Sequence, residues 1–318
     1  MDRKDISIIY MGTPEFAVAP LEALLHAGYQ IKAVVTVADK PAGRGQKLQM
    51  SAVKEFALAN DLMIFQPVKL KDPDFIEQLK SIDADLFVVV AFRMLPEIVW
   101  SMPRLGTLNL HGSLLPKYRG AAPINYAIIN GESETGVTTF FIKHEIDTGA
   151  ILLQEKIDIG ADETAGELHD RMMMIGANLV VKTVDAIRSN TIQPVPQDML
   201  LLEPSNAPKI FKQDCKIDCS RNPVELYNLI RGLSPFPAAY LEFLKRDGAV
   251  MSMKVFKCNV VKGDPLPGSV MTDSKTYLNI GVFGGFLSLL EVQLAGKKRM
   301  SIEEFLRGFP ASEISTIL

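Results

Sequence analysis

"ISIIYMGTPEFAVAPLEALLHAG", residues 6–28, is read as a buried strand, a one-turn loop and a helix. Thr13 is expected to cap that helix, Pro14 to occupy its first position and Gly28 to stop it. A strand leading through a short loop into a helix is the opening unit of an α/β sheet. The loop "YMGTPEF" sits where a dinucleotide-binding fold places its phosphate loop. It carries one glycine, Gly12, where GxGxxG needs three, for the turn, the pyrophosphate approach and helix packing. A tight strand-to-helix turn is therefore expected there rather than NAD binding.

The pattern continues outward. "IKAVVTV" (31–37) is a second apolar strand, followed by the Gly- and Lys/Arg-bearing loop "ADKPAGRGQKLQM" (38–50). Helices are expected near 51–60 and 73–80, with a short strand near Ile64 between them. "ADLFVVVAF" (84–92) is apolar without alternation, as a strand covered on both faces requires. "GTLNLHG" (106–112), "GVTTFFI" (136–142) and "GAILLQEKIDI" (149–159) read as further strands, and "APINYAIING" (122–131) as a helix. Residues 164–189 form a long amphipathic helix. The fold class is thus α/β: an open, Rossmann-like, mostly parallel sheet with helices on both faces.

Residues 189–208, "SNTIQPVPQDMLLLEPSNAP", hold prolines at 194, 196, 204 and 208 and no clear period, which reads as a linker. Beyond it a helix, "NPVELYNLIRGL" (222–233), precedes about five short strands punctuated by Gly, Pro and Asp, a small C-terminal β-barrel. The expected division is 1–188, a linker at 189–208, and 209–318.

Composition bounds the function classes. The 318 residues are 47% hydrophobic and 22% charged with net charge -3, ordinary for a soluble protein and contrary to a strongly basic nucleic-acid coat. Charge is uneven: residues 206–318 hold 15 of the 34 Lys and Arg but only 11 of the 37 Asp and Glu. The tail is therefore mildly basic and the remainder acidic. Three cysteines, Cys215, Cys219 and Cys258, fit a reducing cytosol better than a disulfide scaffold, and without CxxC spacing or a nearby His they predict no metal. The N-terminal apolar run is too short for a signal peptide, and Leu86–Phe92 is too short to span a bilayer. A cytoplasmic protein with no membrane contact is expected. Nothing points to a coiled coil, so a monomer is the default.

Chemistry concentrates in "LNLHGSLLPKYRGAAP" (108–123), where Asn109, His111 and Ser113 alternate as a strand ends. Period-2 spacing places all three on one side of an extended chain. Carboxyl ends of strands in open α/β sheets are where ligands bind. Asn donates two hydrogen bonds, and His is donor, acceptor or proton carrier near neutrality. Asp147, in the turn sequence Asp147-Thr148-Gly149, returns to the same rim if the intervening helix and strand run away and back. Such an Asn, His and Asp suit acyl or formyl transfer, the first two holding an oxyanion and the Asp orienting the His and taking a proton. On the residues alone the alternative stands: a hydrogen-bonded His at a strand end and an ordinary D-T-G turn.

"LNLHGSLLPKYRGAAPI" followed by "GVTTFFIKHEIDTGAIL" resembles the signature of the folate-dependent formyltransferases: N-x-H, SLLPxxRG, and a later D-x-G. The likeness extends to "YMGTPEFAV", "KPAGRGQKL" and the 209–240 stretch, so it covers essentially the whole chain. The resemblance implies a formyl group passed from 10-formyltetrahydrofolate to the amino group of methionine on initiator tRNA, with no metal. It implies that Asn109, His111 and Asp147 are the catalytic trio. Ser113, Leu114, Leu115 and Pro116 match the loop beside the folate, and Val90, Ala91, Phe92, Arg93, Met94 and Leu95 the segment lining its pterin pocket. Arg44, with Lys40 and Lys47 in the same loop, matches the segment that meets the tRNA acceptor end; Lys209 begins the basic tail, and the barrel is implied to be OB-like and tRNA-binding. "QMSAVK" (49–54) lacks prolines that the family often carries there. His144 is expected to be exposed. Formyltransferases acting on glycinamide ribonucleotide or an amino sugar are the rival enzymes, and a tRNA-binding module with a relict pocket is the rival outside enzymology.

Overall fold

β1 (Ser7–Gly12), β2 (Gln30–Val35), β3 (Ile64–Phe65), β4 (Leu86–Val90), β5 (Thr107–His111), β6 (Glu134–Phe141) and β7 (Ile151–Asp158) form one sheet in the order β7-β6-β5-β4-β1-β2-β3. The computed structural model describes residues 6–42 and 47–318. Pairing is parallel from β3 through β5 and antiparallel between β5 and β6. All five residues of β4 are buried, which explains its unbroken apolar run. On one face Ile9, Met11, Phe87 and Val89 pack with Phe75, Ile76 and Leu79 from the helix Pro73–Ile82 and with Val99.

Local signals start and stop the helices. The Ser51 hydroxyl accepts from Lys54 N at the head of Ala52–Ala59, and Asp72 accepts from Asp74 N with Pro73 at the first helical position. Gly28, at φ 81, follows the helix Val18–His26 as expected. Thr13 does not make the expected cap. A single 3-10 turn, Glu15–Ala17, intervenes behind Pro14 with no side-chain cap. The corner is tight: a Cβ on Gly12 would stand 2.6 Å from Ala17 Cβ, and the Tyr10 hydroxyl donates to Ala17 O at 2.6 Å. A tighter helical turn fits that space where an α-turn would not.

The chain divides into two compact units, the first comprising Met1–Pro123, Thr135–Ile157 and His169–Ala207 and the second Ile124–Glu134, Asp158–Leu168 and Pro208–Leu318. Residues 189–207 therefore do more than connect. Val195 and Ile151 exchange backbone hydrogen bonds of 2.8 Å, and Asn206–Ala207 pairs in parallel with Arg119–Gly120.

In the second unit β8 (Ala239–Lys245), β9 (Val250–Val261), β10 (Val270–Thr272), β11 (Leu278–Val282), β12 (Gly285–Leu294) and β13 (Ile314–Ile317) make an antiparallel sheet ordered β10-β11-β12-β9-β8-β13. Ile317 N donates to Gly268 O at 3.1 Å, so the sheet nearly closes into the expected barrel. Its core joins Phe243, Val255, Leu289 and Phe305 to Leu226, Leu229 and Leu233 of the helix Pro223–Leu233. The helix Ile302–Gly308, with its Ser301–Glu304 capping box, and β13 lie beyond the expected strands. Among the described residues no helix is long and apolar enough to cross a membrane.

One carboxylate ties the sheet together at its amino end. Asp85 Oδ2 accepts from Ser7 N and Ser7 Oγ, each at 2.8 Å, and Oδ1 accepts from Arg104 Nε at 2.7 Å. Burial pushes this carboxyl up, but the two Ser7 bonds and Arg104 outweigh it and hold it below the ordinary carboxylate range. Its contribution is thus full above the unfolded pKa of about 4 and is lost as pH falls through the native value. Asp85→Asn is expected to cost about 1–3 kcal/mol at pH 7. Denaturant titrations should show the gap to wild type closing towards pH 2.

Candidate active site

β5 ends at the carboxyl edge of the sheet, with Asn109 and His111 on one face and Leu108 and Leu110 on the other. Asn109 is half-buried, and its side chain makes no hydrogen bond among the described residues. His111 is 6% exposed and stands edge-on to the Phe140 ring. Its Nε2 lies 2.8 Å from Tyr118 O. A carbonyl only accepts, so Nε2 carries the hydrogen and Nδ1 is the nitrogen left open towards the turn that bears Asp147. Nδ1 faces Asp147 Oδ2 at 3.7 Å, close enough for an ion pair but too long for a hydrogen bond.

Asp147 reaches that place by a turn in the left-handed region, at φ 52, an uncommon conformation for a non-glycine residue. Oδ2 accepts from Gly120 N at 2.8 Å; the carboxylate makes no further hydrogen bond among the described residues. Gly149 is required two residues later, because a Cβ there would stand 1.6 Å from Phe141 O. The turn is also held from outside. Gln197 Nε2 donates to Asp147 O and Gly149 O, each at 2.9 Å, while its Oε1 accepts from Arg119 Nε and Nη2 at 3.1 and 2.6 Å. Gln197 was not among the residues expected from sequence. It lies in the proline-rich stretch that reads as a linker, and no motif or period marks it.

The other expected residues separate into two groups. Ser113, Leu115 and Pro116 are buried and serve the loop's own shape. Ser113 Oγ donates to Lys117 O at 2.6 Å, and Thr138 Oγ1 donates to Ser113 O and accepts from Leu115 N. Leu114 is half-buried against Gly136. In the second group, Val90 is buried at the end of β4 while Ala91, at φ 46, and Met94 are exposed. Leu95 is buried; Phe92 is half-buried beneath the Arg93 guanidinium, 5.5 Å away. Arg93 donates to the Pro67 and Val68 carbonyls, its Nε is buried without a partner among the described residues, and burial lowers its pKa. The segment thus sets an exposed left-handed backbone at Ala91 beside the apolar side chains of Val90, Phe92 and Leu95.

Arg44 lies outside the described residues. Lys40 is exposed in a short antiparallel pairing of Lys40–Ala42 with Lys47–Gln49. Lys209 is exposed with its ammonium 5.5 Å from the Phe211 ring centroid. Elsewhere in the tail Lys216 and Lys245 are ion-paired with Glu242 and Asp247, and Lys254 donates to Pro237 O. His144 is exposed, and the His169 ring lies 5.1 Å from that of Phe16.

Two family models match the chain: "Formyl transferase" over residues 4–184 and "Formyl transferase, C-terminal domain" over 209–310. The methionyl-tRNA formyltransferase of Bacteroides thetaiotaomicron is 50% identical over 98% of each chain. That of Phocaeicola vulgatus is 51% identical with the same coverage. Among solved structures, an N-formyltransferase from Helicobacter canadensis in complex with folinic acid and dTDP-3-aminofucose superposes with a TM-score of 0.64. It is 22% identical and covers 93% of this chain and all of its own. At that identity the likeness concerns the fold.

Gly149→Ala is expected to force the Asp147 turn open at a cost of about 1–3 kcal/mol in local strain. A Cβ on Gly308, by contrast, meets nothing within 4 Å. Thermal melts should show Gly149→Ala well below wild type and Gly308→Ala at or slightly above it.

Proposed function

The chain belongs to the formyl transferase family, and on that premise we propose that it transfers the formyl group of 10-formyltetrahydrofolate to the α-amino group of methionine on initiator tRNA. The observation that carries the chemistry is His111 Nδ1 facing Asp147 Oδ2 across 3.7 Å at the carboxyl edge of the sheet, two residues along from Asn109, whose side chain has no hydrogen-bond partner among the described residues. The near-full-length likeness to methionyl-tRNA formyltransferases supports the choice of acceptor. The product serves translation initiation, which puts the activity in the cytoplasm.

The folate supplies a formyl group on N10, held by Val90–Leu95 with Ser113–Pro116 shaping the wall beside it. An α-amino group has a pKa of about 7.7–8, and the neighbouring ester lowers it, so much of the amine is neutral at pH 7. Its nitrogen attacks the formyl carbon, and the carbonyl becomes an oxyanion. Asn109 Nδ2 donates to that oxygen. Protonated His111 adds a second donor through Nδ1, because Nε2 is committed to Tyr118 O. At 3.7 Å the Nδ1 hydrogen is not committed to Asp147 Oδ2, so it is available to the oxyanion. Asp147 stabilises the imidazolium and takes the amine proton, directly or through water. The C–N10 bond then breaks and N10 takes up a proton, leaving an N-formyl amide.

In this reading 1–188 carries catalysis, 189–208 links, and 209–318 holds the RNA. Lys40, Arg44 and Lys47 meet phosphates of the acceptor end and Lys209 those elsewhere. These contacts position the RNA without reading its bases.

The test is formyl transfer to methionyl initiator tRNA beside free methionine, glycinamide ribonucleotide and a nucleotide-linked amino sugar. Turnover on the charged tRNA alone is expected. Asn109→Ala should lower kcat about 10²–10³-fold and His111→Ala about 10²–10⁴-fold, with KM for the tRNA little changed. Turnover confined to a small amine would overturn the acceptor assignment.

A further inference from the structure

Gln197 is 5% exposed and uncharged, and its amide is saturated: both Nε2 hydrogens go to the carbonyls of Asp147 and Gly149, and Oε1 takes two hydrogens from Arg119. It therefore joins two pieces of chain that hold the candidate catalytic pair. One is the turn that carries Asp147. The other is the segment around Arg119, in which Tyr118 O accepts from His111 and Gly120 N donates to Asp147.

That turn needs an external hold. Asp147 sits in the left-handed region and Gly149 lies hard against Phe141 O, so the backbone gains by relaxing if its carbonyls are released. The segment that brings Gln197, however, is anchored without it. Val195 pairs with Ile151, Asn206–Ala207 pairs with Arg119–Gly120, and the Ser205 hydroxyl accepts from Tyr118 N. The fold thus has other fastenings at this place, whereas the side chains that grip the Asp147 and Gly149 carbonyls come from Gln197 alone among the described residues.

We propose that Gln197, anchored by Arg119, is a positioning residue that sets the separation between the Asp147 carboxylate and the His111 ring. None of its atoms meets the reacting groups. The activity readouts rest on the formyl-transfer reading; the spectroscopic one does not.

The experiment uses the full chain with Gln197→Glu, Gln197→Ala and the exposed neighbour Asp198→Asn as control. Gln197→Glu keeps the shape and the Arg119 contact but sets carboxylate oxygen against two carbonyls. Displacing a catalytic group by about 1 Å costs on the order of 10²-fold. The expected result is a kcat loss of that order for Gln197→Glu and a smaller one for Gln197→Ala. KM for tRNA and folate should be near wild type, the pH profile of kcat shifted, and Asp198→Asn indistinguishable from wild type. Ring nitrogen NMR of His111, taken without substrates, should show its resonances moved in both Gln197 variants. Unchanged kcat with an unchanged His111 spectrum overturns the proposal. So does a loss that falls on KM alone, or one that follows thermal stability with the pH profile intact. If Gln197→Glu does not fold, Gln197→Ala is read by the same criteria, and unfolding of both assigns Gln197 to the scaffold and overturns the proposal. If wild type formylates no aminoacyl-tRNA, the functional reading falls and the His111 spectrum alone decides this one.

Discussion

The segment Tyr118–Gly120 is the constraint on which the site depends. One of its carbonyls takes the hydrogen of His111 Nε2, and one of its amides gives a hydrogen to Asp147 Oδ2. The first bond decides the tautomer, and with it which nitrogen faces the carboxylate. The second holds the carboxylate on the near side of its turn. The loop between His111 and Tyr118 brings the chain back to this place. Ser113 closes the loop on Lys117, and Thr138 of β6 fastens the Ser113 and Leu115 backbone.

Burial gives these bonds their weight. His111 and Asp147 have side-chain exposures of 7% and 14%, where charges are screened far less than at the surface. An unmatched polar group would be costly there, and the network leaves little unmatched. The half-buried side chain of Asn109 is a deliberate contrast, being oriented by its strand yet uncommitted to any neighbour among the described residues. In the proposed reaction, order in one direction and openness in another is what an oxyanion donor requires.

The second unit has a different economy. Its barrel core is apolar, and its chief buried charge, Arg231, is 8% exposed and bound to the Gly160 and Glu163 carbonyls and to Asn228. Burial lowers the Arg231 pKa, yet a guanidinium remains charged at any physiological pH. That arginine pins the 160–163 turn, which the chain assigns to this unit although it lies between β7 and the long helix of residues 165–188. A boundary drawn along the sequence at 188 does not follow contacts of this kind.

Much of this was legible in residues a few positions apart. The apolar run of β4, the helices near 51–60 and 73–80 and the Asn109–His111 alternation all depend on local spacing, and all stand in the structure as expected. Thr13 misled because a close approach to Ala17, invisible to helix-start rules, tightened the corner. β13 is four residues long and carries too little pattern to announce itself. By itself the sequence determined the order of elements, the faces they bury and the residue types offered at the end of β5, because periodicity and capping act within about four residues. Only the tertiary structure decided that His111, Asp147 and Gln197 meet, since Gln197 lies 50 residues from the turn it holds. Such meetings depend on sheet register and loop return, and neither is written in the spacing of neighbouring residues.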